Sequence, residues 1–253
     1  AKEWRDKMVE KISETDDTLT EKYLGGEEIS EAELKAALRQ AVIGTKLYPV
    51  MTGTALRNKG IQLVLDAVVD YLPSPLDIPP LFGTNPKTDV EEVRETKDDA
   101  PFSALAFKIA TDPFIGQKTF FRVYSGTIKA GSYVLNSTKN EKERVGRIVR
   151  MHANHREEIE ELGAGDIGAL VGMKVTTTGN TLCDPDKPVL LERMRFPDPV
   201  ISVAVEPKSR ADIDKMSTAL YKMVKADPSL RLEVDQDTGQ TVLRGMGELH
   251  LEI

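Results

Sequence analysis

One cysteine, one tryptophan and an aromatic content of 6% leave this chain of 253 residues short of the side chains that staple small folds. Cys183 cannot close an internal disulfide by itself, which suits a reducing cytoplasm and sets aside the disulfide scaffolds of secreted domains. No apolar run approaches the roughly 18 residues of a membrane span. The opening AKEWRDKMVEK mixes acidic and basic residues and carries no apolar export segment. The pattern GxxxxGK[ST] is also missing, so the sequence holds no loop of the kind that cradles nucleotide phosphates. A soluble, cytoplasmic protein of about two domains is expected.

What is present is 40% hydrophobic and 30% charged, with a formal net charge of -7 that is unevenly spread. Residues 98–195 hold 14 basic against 13 acidic residues, whereas both flanking blocks are acidic. Within the middle block Lys142, Arg144, Arg147 and Arg150 cluster near Lys139, so contact with phosphate is one reading and a solvated strand face the other.

The hydrophobic period changes twice. Trp4, Met8 and Ile12, then Leu34, Leu38, Ala41 and Val42, repeat at helical spacing, with Ser30 and Glu33 forming a capping box and Gly44 as a stop. Lys46 to Met51 reads as a strand, Thr52 to Lys59 as a polar loop, and Ile61 to Leu72 as a helix with Ile61, Val64, Leu65, Val68 and Leu72 turned inward. Residues 74–99, rich in Pro and charge, read as a linker. From Pro101 the period is two: FSALAFKIA, TFFRVYSGTI, SYVLN, RVGRIVRM, GALVG and PVLLERM predict a small antiparallel barrel over 100–195. Pro197 and Pro199 mark the next boundary. Beyond them a strand at Val200 to Val205 precedes a helix capped by Ser209 with Asp212 and striped by Ile213, Met216, Leu220, Met223 and Val224. A hairpin of Leu230 to Val234 with Thr241 to Arg244 follows, and a helix opens at Gly247, giving the order βαββα of a ferredoxin-like unit without its closing strand.

Several local patterns imitate active sites. Gly163, Gly165 and Gly168 spell GxGxxG, which would suit a dinucleotide-dependent enzyme, but a strand follows them where a helix is needed, so a turn between strands is the competing reading. His152 and His155 lack further metal ligands nearby and read as surface residues. Asp237-Thr238-Gly239 resembles the aspartic protease tripeptide but falls in a hairpin turn without a second copy. Cys183 reads as an inert thiol.

Two longer segments are far more specific: DPFIGQKTFFRVYSGTIKAGSYVLN from Asp112 to Asn136, and QTVLRGMGELHLEI from Gln240 to Ile253. Both closely resemble bacterial elongation factor G, the family of GTPases that drive translocation on the ribosome. The resemblance implies a multi-domain α+β chain made of three parts. Residues 1–73 would be a helical insert remnant with the last strand and helix of an α/β GTPase domain, 100–195 a β-barrel of the translation-factor type, and 196–253 a truncated ferredoxin-like third domain. It further implies that Gly53, Thr54 and Ala55 form the guanine-side loop of an incomplete site, since NKxD is absent and Asn58-Lys59 runs into Gly60-Ile61. GTP or GDP with Mg²⁺ would belong to the parent protein, no metal or cofactor to this fragment, and the chain by itself is not expected to hydrolyse GTP. Small-subunit ribosomal RNA and protein are the implied partners. The ribosome-protecting tetracycline-resistance GTPases share the layout and are the alternative. If the chain stops at Ile253, the edge of strand 200–205 is expected to be open, with self-association through it.

Overall fold

The computed structural model describes residues 2–112, 116–153 and 155–252. It divides into two compact units, Ala1–Pro79 and Pro80–Ile253.

The first unit is helical, with α1 at Lys2–Ser13, α2 at Asp17–Leu24, α3 at Glu31–Ile43 and α4 at Ile61–Tyr71. The capping box at Ser30 is complete: its hydroxyl accepts from the Glu33 N–H while the Glu33 carboxylate takes the Ser30 N–H at 2.9 Å. Lys22 adds an ion pair to Glu33 at 2.5 Å, and these partners hold the Glu33 carboxyl at about 2. Gly44 ends α3, as its position in the pattern predicts. Ile12, Leu19, Leu34 and Ala37 make the small core. Trp4 and Met8 do not join it, and Trp4 is 72% exposed. Nor does Lys46 to Met51 form a strand: the segment has no ladder partner among the described residues, and the N–H groups of Lys46 and Leu47 turn back to the Ala41 carbonyl. The apolar face of α4 is likewise exposed at Val64, Leu65, Val68 and Leu72, contrary to the inward stripe expected. Arg39 ties α3 to α4 instead, donating to the Asp70 carbonyl at 2.9 Å and pairing with Asp77 at 2.6 Å.

The second unit opens with a hairpin where a linker was expected. Strands β1 (Leu81–Thr84) and β2 (Glu91–Arg94) pair across a turn held by the Asn85 and Asp89 backbone. Arg94 sits in it 4% exposed, donating to Glu92 and to the Lys187 carbonyl, so a charged side chain at a buried position masked the strand in the sequence.

Next come β3 (Ser103–Asp112), β4 (Gly116–Ser125), β5 (Ile128–Lys129), β6 (Tyr133–Asn136) and β7 (Glu141–Arg144). They are followed by β8 (Arg147–His152), β9 (His155–Ile159), β10 (Glu161–Leu162), β11 (Ile167–Val171) and β12 (Asn180–Cys183). Eight pair antiparallel in the order β7-β6-β12-β3-β4-β11-β8-β9, and β5 pairs with β10. Phe121, Val123, Ile128, Val134, Ile148, Leu162, Leu170 and Leu182 meet in one core although they come from both ends of that order. The sheet is therefore rolled around its apolar face, the antiparallel barrel that the period of two predicts. Two details differ. PVLLERM contributes only the bridge of Leu190 to Thr84, while β7, β12 and the polar edge strand β9 lie largely outside the expected strand segments. Pro113 to Ile115 of the Asp112–Asn136 segment lie outside the described residues.

The remainder is β13 (Ile201–Val205), α5 (Ile213–Ala226), β14 (Arg231–Val234), β15 (Thr241–Gly245) and α6 (Glu248–Glu252). The βαββα order and the sheet order β13-β15-β14 are those of a ferredoxin-like unit, and β13 is an edge. Leu220, Leu230 and Leu243 form its core, with Met216 and Val224 packed on it, while Ile213 and Met223 are exposed. Ser209 does not cap α5 through the backbone: a 3-10 turn at Arg210–Asp212 precedes the helix, and the Ser209 hydroxyl donates to Asp212 at 2.6 Å.

Candidate functional site

The glycine pattern 163–168 has a local explanation at each position. Gly163 leaves room for the Asp98 carboxylate, which takes the Ala164 N–H at 2.8 Å; a Cβ there would lie 2.5 Å from Asp98 Oδ1. Gly165 turns at φ +91. Gly168 is already inside β11, where a Cβ would run into Leu162 Cδ1. Gly163 and Gly165 thus belong to the turn between β10 and β11 and Gly168 to the strand itself, and among the described residues no helix N-terminus meets them to hold a pyrophosphate. His152 and His155 face each other across the β8–β9 hairpin, and no group of three or more metal-ligating side chains exists among the described residues. Asp237-Thr238-Gly239 is the β14–β15 turn, in which Asp235 accepts the N–H groups of Thr238 at 2.8 Å and Asp237 at 3.0 Å. Cys183 is 0% exposed in β12, and burial pushes its thiol up from the ordinary value.

The loop of Gly53, Thr54 and Ala55 is exposed. Thr54 closes it on Lys59, donating its N–H to the Lys59 carbonyl at 2.9 Å and accepting in return at 3.2 Å. Ala55 then begins a 3-10 turn to Arg57, and Asn58 ends it with φ 52. Gly53 is needed for closure, because a Cβ would sit 2.9 Å from the Lys59 oxygen. Of the three amides in the expected guanine-side loop, that of Thr54 is thus already taken.

The four basic residues separate. Lys142 and Arg144 point outward from β7 on either side of buried Glu143, and Lys142 lies 5.2 Å from the Tyr133 ring centre. Arg147 and Arg150 are three apart in β8 and so project from opposite faces. Arg147 approaches Glu158 at 3.8 Å and Arg150 approaches Asp166 at 3.5 Å. Charge alone in the sequence could not show these carboxylate partners. What it missed altogether lies one step inward. Glu143, 8% exposed, accepts from the N–H groups of Lys174 and Val175 at 2.8 Å each and of Thr176 at 3.0 Å, and from the Thr176 hydroxyl. Burial alone would push this carboxyl up, but the hydrogen bonds from Thr176, Val175 and Lys174 outweigh it and hold it below the ordinary value. Asp227, after α5, accepts from His250 in α6 at 3.0 Å while the other His250 ring nitrogen takes the Met246 N–H at 3.1 Å. With both ring nitrogens engaged, His250 ties the two helices and has no nitrogen left to act as a base.

The second unit thus carries a rolled antiparallel barrel followed in sequence by a ferredoxin-like unit. The family model for elongation factor G domain 2 matches residues 101–185, and that for elongation factor G domain III matches residues 196–253. A crystal structure of a protein from Thermus thermophilus superposes on 99% of the chain at a TM-score of 0.75 and is 32% identical; this chain spans 35% of that one. The chain belongs to the elongation factor G type of translational GTPases, of which it is a fragment.

Proposed function

We propose that the chain is the part of a ribosomal translocase that docks on the small subunit and relays between domains, in a protein that uses GTP hydrolysis to move tRNA and mRNA. The observation that carries the reading is the succession of two matched domains of one elongation factor over more than half of the chain. The chemistry of the chain agrees with it. Lys142 and Arg144 are exposed on β7 with no carboxylate partner among the described residues, which suits phosphate oxygens. Arg147 and Arg150 would exchange their carboxylates for phosphates on docking. GTP with Mg²⁺ belongs in this proposal to the parent protein, where Gly53, Thr54 and Ala55 would flank the guanine, and the chain itself turns over no nucleotide. A cytoplasmic location follows from the same reading; no helix among the described residues is long and apolar enough to cross a membrane. Sedimentation with purified small ribosomal subunits tests the proposal. Binding should be saturable and salt-sensitive, and Arg144→Glu with Arg147→Glu should weaken it; unchanged binding by that pair would return these residues to a solvated face.

A further inference from the structure

The loop from Lys174 to Thr176 is fastened on both sides. Its N–H groups converge on Glu143, and its carbonyls are taken by two lysines from elsewhere in the unit: Lys139, in the β6–β7 turn, donates to the Val175 oxygen at 2.6 Å, and Lys225, in α5, to the Lys174 oxygen at 3.1 Å. Two ammonium groups distant in sequence are thereby brought to adjacent peptides. They border a cleft of about 400 Å³ between the barrel and α5, lined also by Glu141, Lys174, Thr177 and Tyr221. Each ammonium has three donors and one is committed, so two remain for a ligand. Glu143 makes no ion pair with these lysines among the described residues; its oxygens are taken by the three N–H groups and the Thr176 hydroxyl. Three lysines thus face the single lining carboxylate of Glu141, and Tyr221, 69% exposed, offers a flat ring beside them. Fixing the lysine stems in advance lowers the entropy lost when a ligand binds.

We propose that this cleft grips the phosphodiester backbone of RNA, with Lys139, Lys174 and Lys225 on phosphates and Tyr221 against a base or ribose. The ring beside the charges favours RNA over an acidic peptide, which would make no use of a stacking surface. The inference rests on the reading of the chain as a ribosome-docking module, but at residues other than Lys142, Arg144, Arg147 and Arg150.

The test uses the 253-residue chain, a fluorescein-labelled RNA hairpin with a single-stranded tail, and purified small ribosomal subunits, over a series of salt concentrations. The variants are Lys139→Gln/Lys174→Gln/Lys225→Gln and Lys174→Glu/Tyr221→Ser; among the described residues the Lys174 and Tyr221 side chains make no hydrogen bond, so the second variant should keep the fold. The triple variant should weaken hairpin binding at least about tenfold at low salt and flatten the plot of log K against log salt by about 2, three contacts at about 0.7 each. Lysine-dependent hairpin binding without subunit binding would support the cleft and refute the docking reading. Subunit binding that survives both variants, or a wild-type chain that does not bind the hairpin, would overturn the cleft; if the wild type binds neither, both readings fall. Competition by polyglutamate as strong as by unlabelled RNA would show a site for acidic protein segments and also overturn the proposal.

Discussion

Replacing Glu143 with glutamine should destabilise the barrel far more than its conservative character suggests. Glutamine keeps an oxygen for the N–H groups of Lys174 and Val175, which share one carboxylate oxygen, but it turns an NH₂ group toward the Thr176 N–H, which needs an acceptor. The Thr176 N–H loses its charged acceptor, and the Thr176 hydroxyl, turned to accept from the new NH₂, exchanges a charge-assisted bond for a neutral one; at about 1.5–3 kcal/mol for the first and about 1 kcal/mol for the second, the cost is about 3 kcal/mol. For a unit of this size that lowers Tm by roughly 6–12 °C. Thermal unfolding by circular dichroism should show it beside Glu141→Gln, an exposed neighbour whose loss should stay within about 0.5 kcal/mol. The pH dependence carries a sign. The folded carboxyl lies below its ordinary 4.5, so its stabilisation is fully present above that value and is lost as pH falls through the folded pKa. The gap between wild type and Glu143→Gln should therefore narrow in acid. Equal melting of the two variants at neutral pH would refute the carboxylate clamp.

Gly168→Ala should cost about 1–3 kcal/mol by forcing a methyl group onto Leu162, and should do so identically with and without NAD, since the turn holds no dinucleotide. Helicity of the first unit should persist as pH falls below 4.5 and decline only as the Glu33 carboxyl titrates near 2, releasing Lys22 and the Ser30 cap; Lys22→Gln should move the loss to higher pH by circular dichroism. Cys183 should resist a thiol reagent in the native protein and react on unfolding, and fast native labelling would contradict its burial. Amides along β13 should exchange faster than those of β3 and β4, because β13 pairs on one side only; equal protection would mean that its outer edge is covered, as self-association would do.

The legible parts of this fold were those in which sequence and packing agree locally. The Ser30 box, the Gly44 stop and the alternation of β3 and β4 are decided by neighbours within a few residues. The hidden parts depend on remote partners. β2 carries Arg94 into a buried position because the Lys187 carbonyl receives it, and β9 is polar because it is an edge. The stripe of α4 is clear in sequence, yet Val64, Leu65, Val68 and Leu72 stay exposed. The same division holds at the site. The positive character of the middle block was legible, but whether each cation is paired depends on Glu158 and Asp166 across the sheet, and the clamp at Glu143 joins residues more than thirty apart.

Hydroxyl-radical footprinting of small-subunit ribosomal RNA in the presence of the chain tests the docking claim most directly. A discrete set of protected riboses, lost together as salt rises and weakened by Arg144→Glu with Arg147→Glu, is the predicted result. An unprotected RNA at low salt, with the chain folded and in excess, would contradict it.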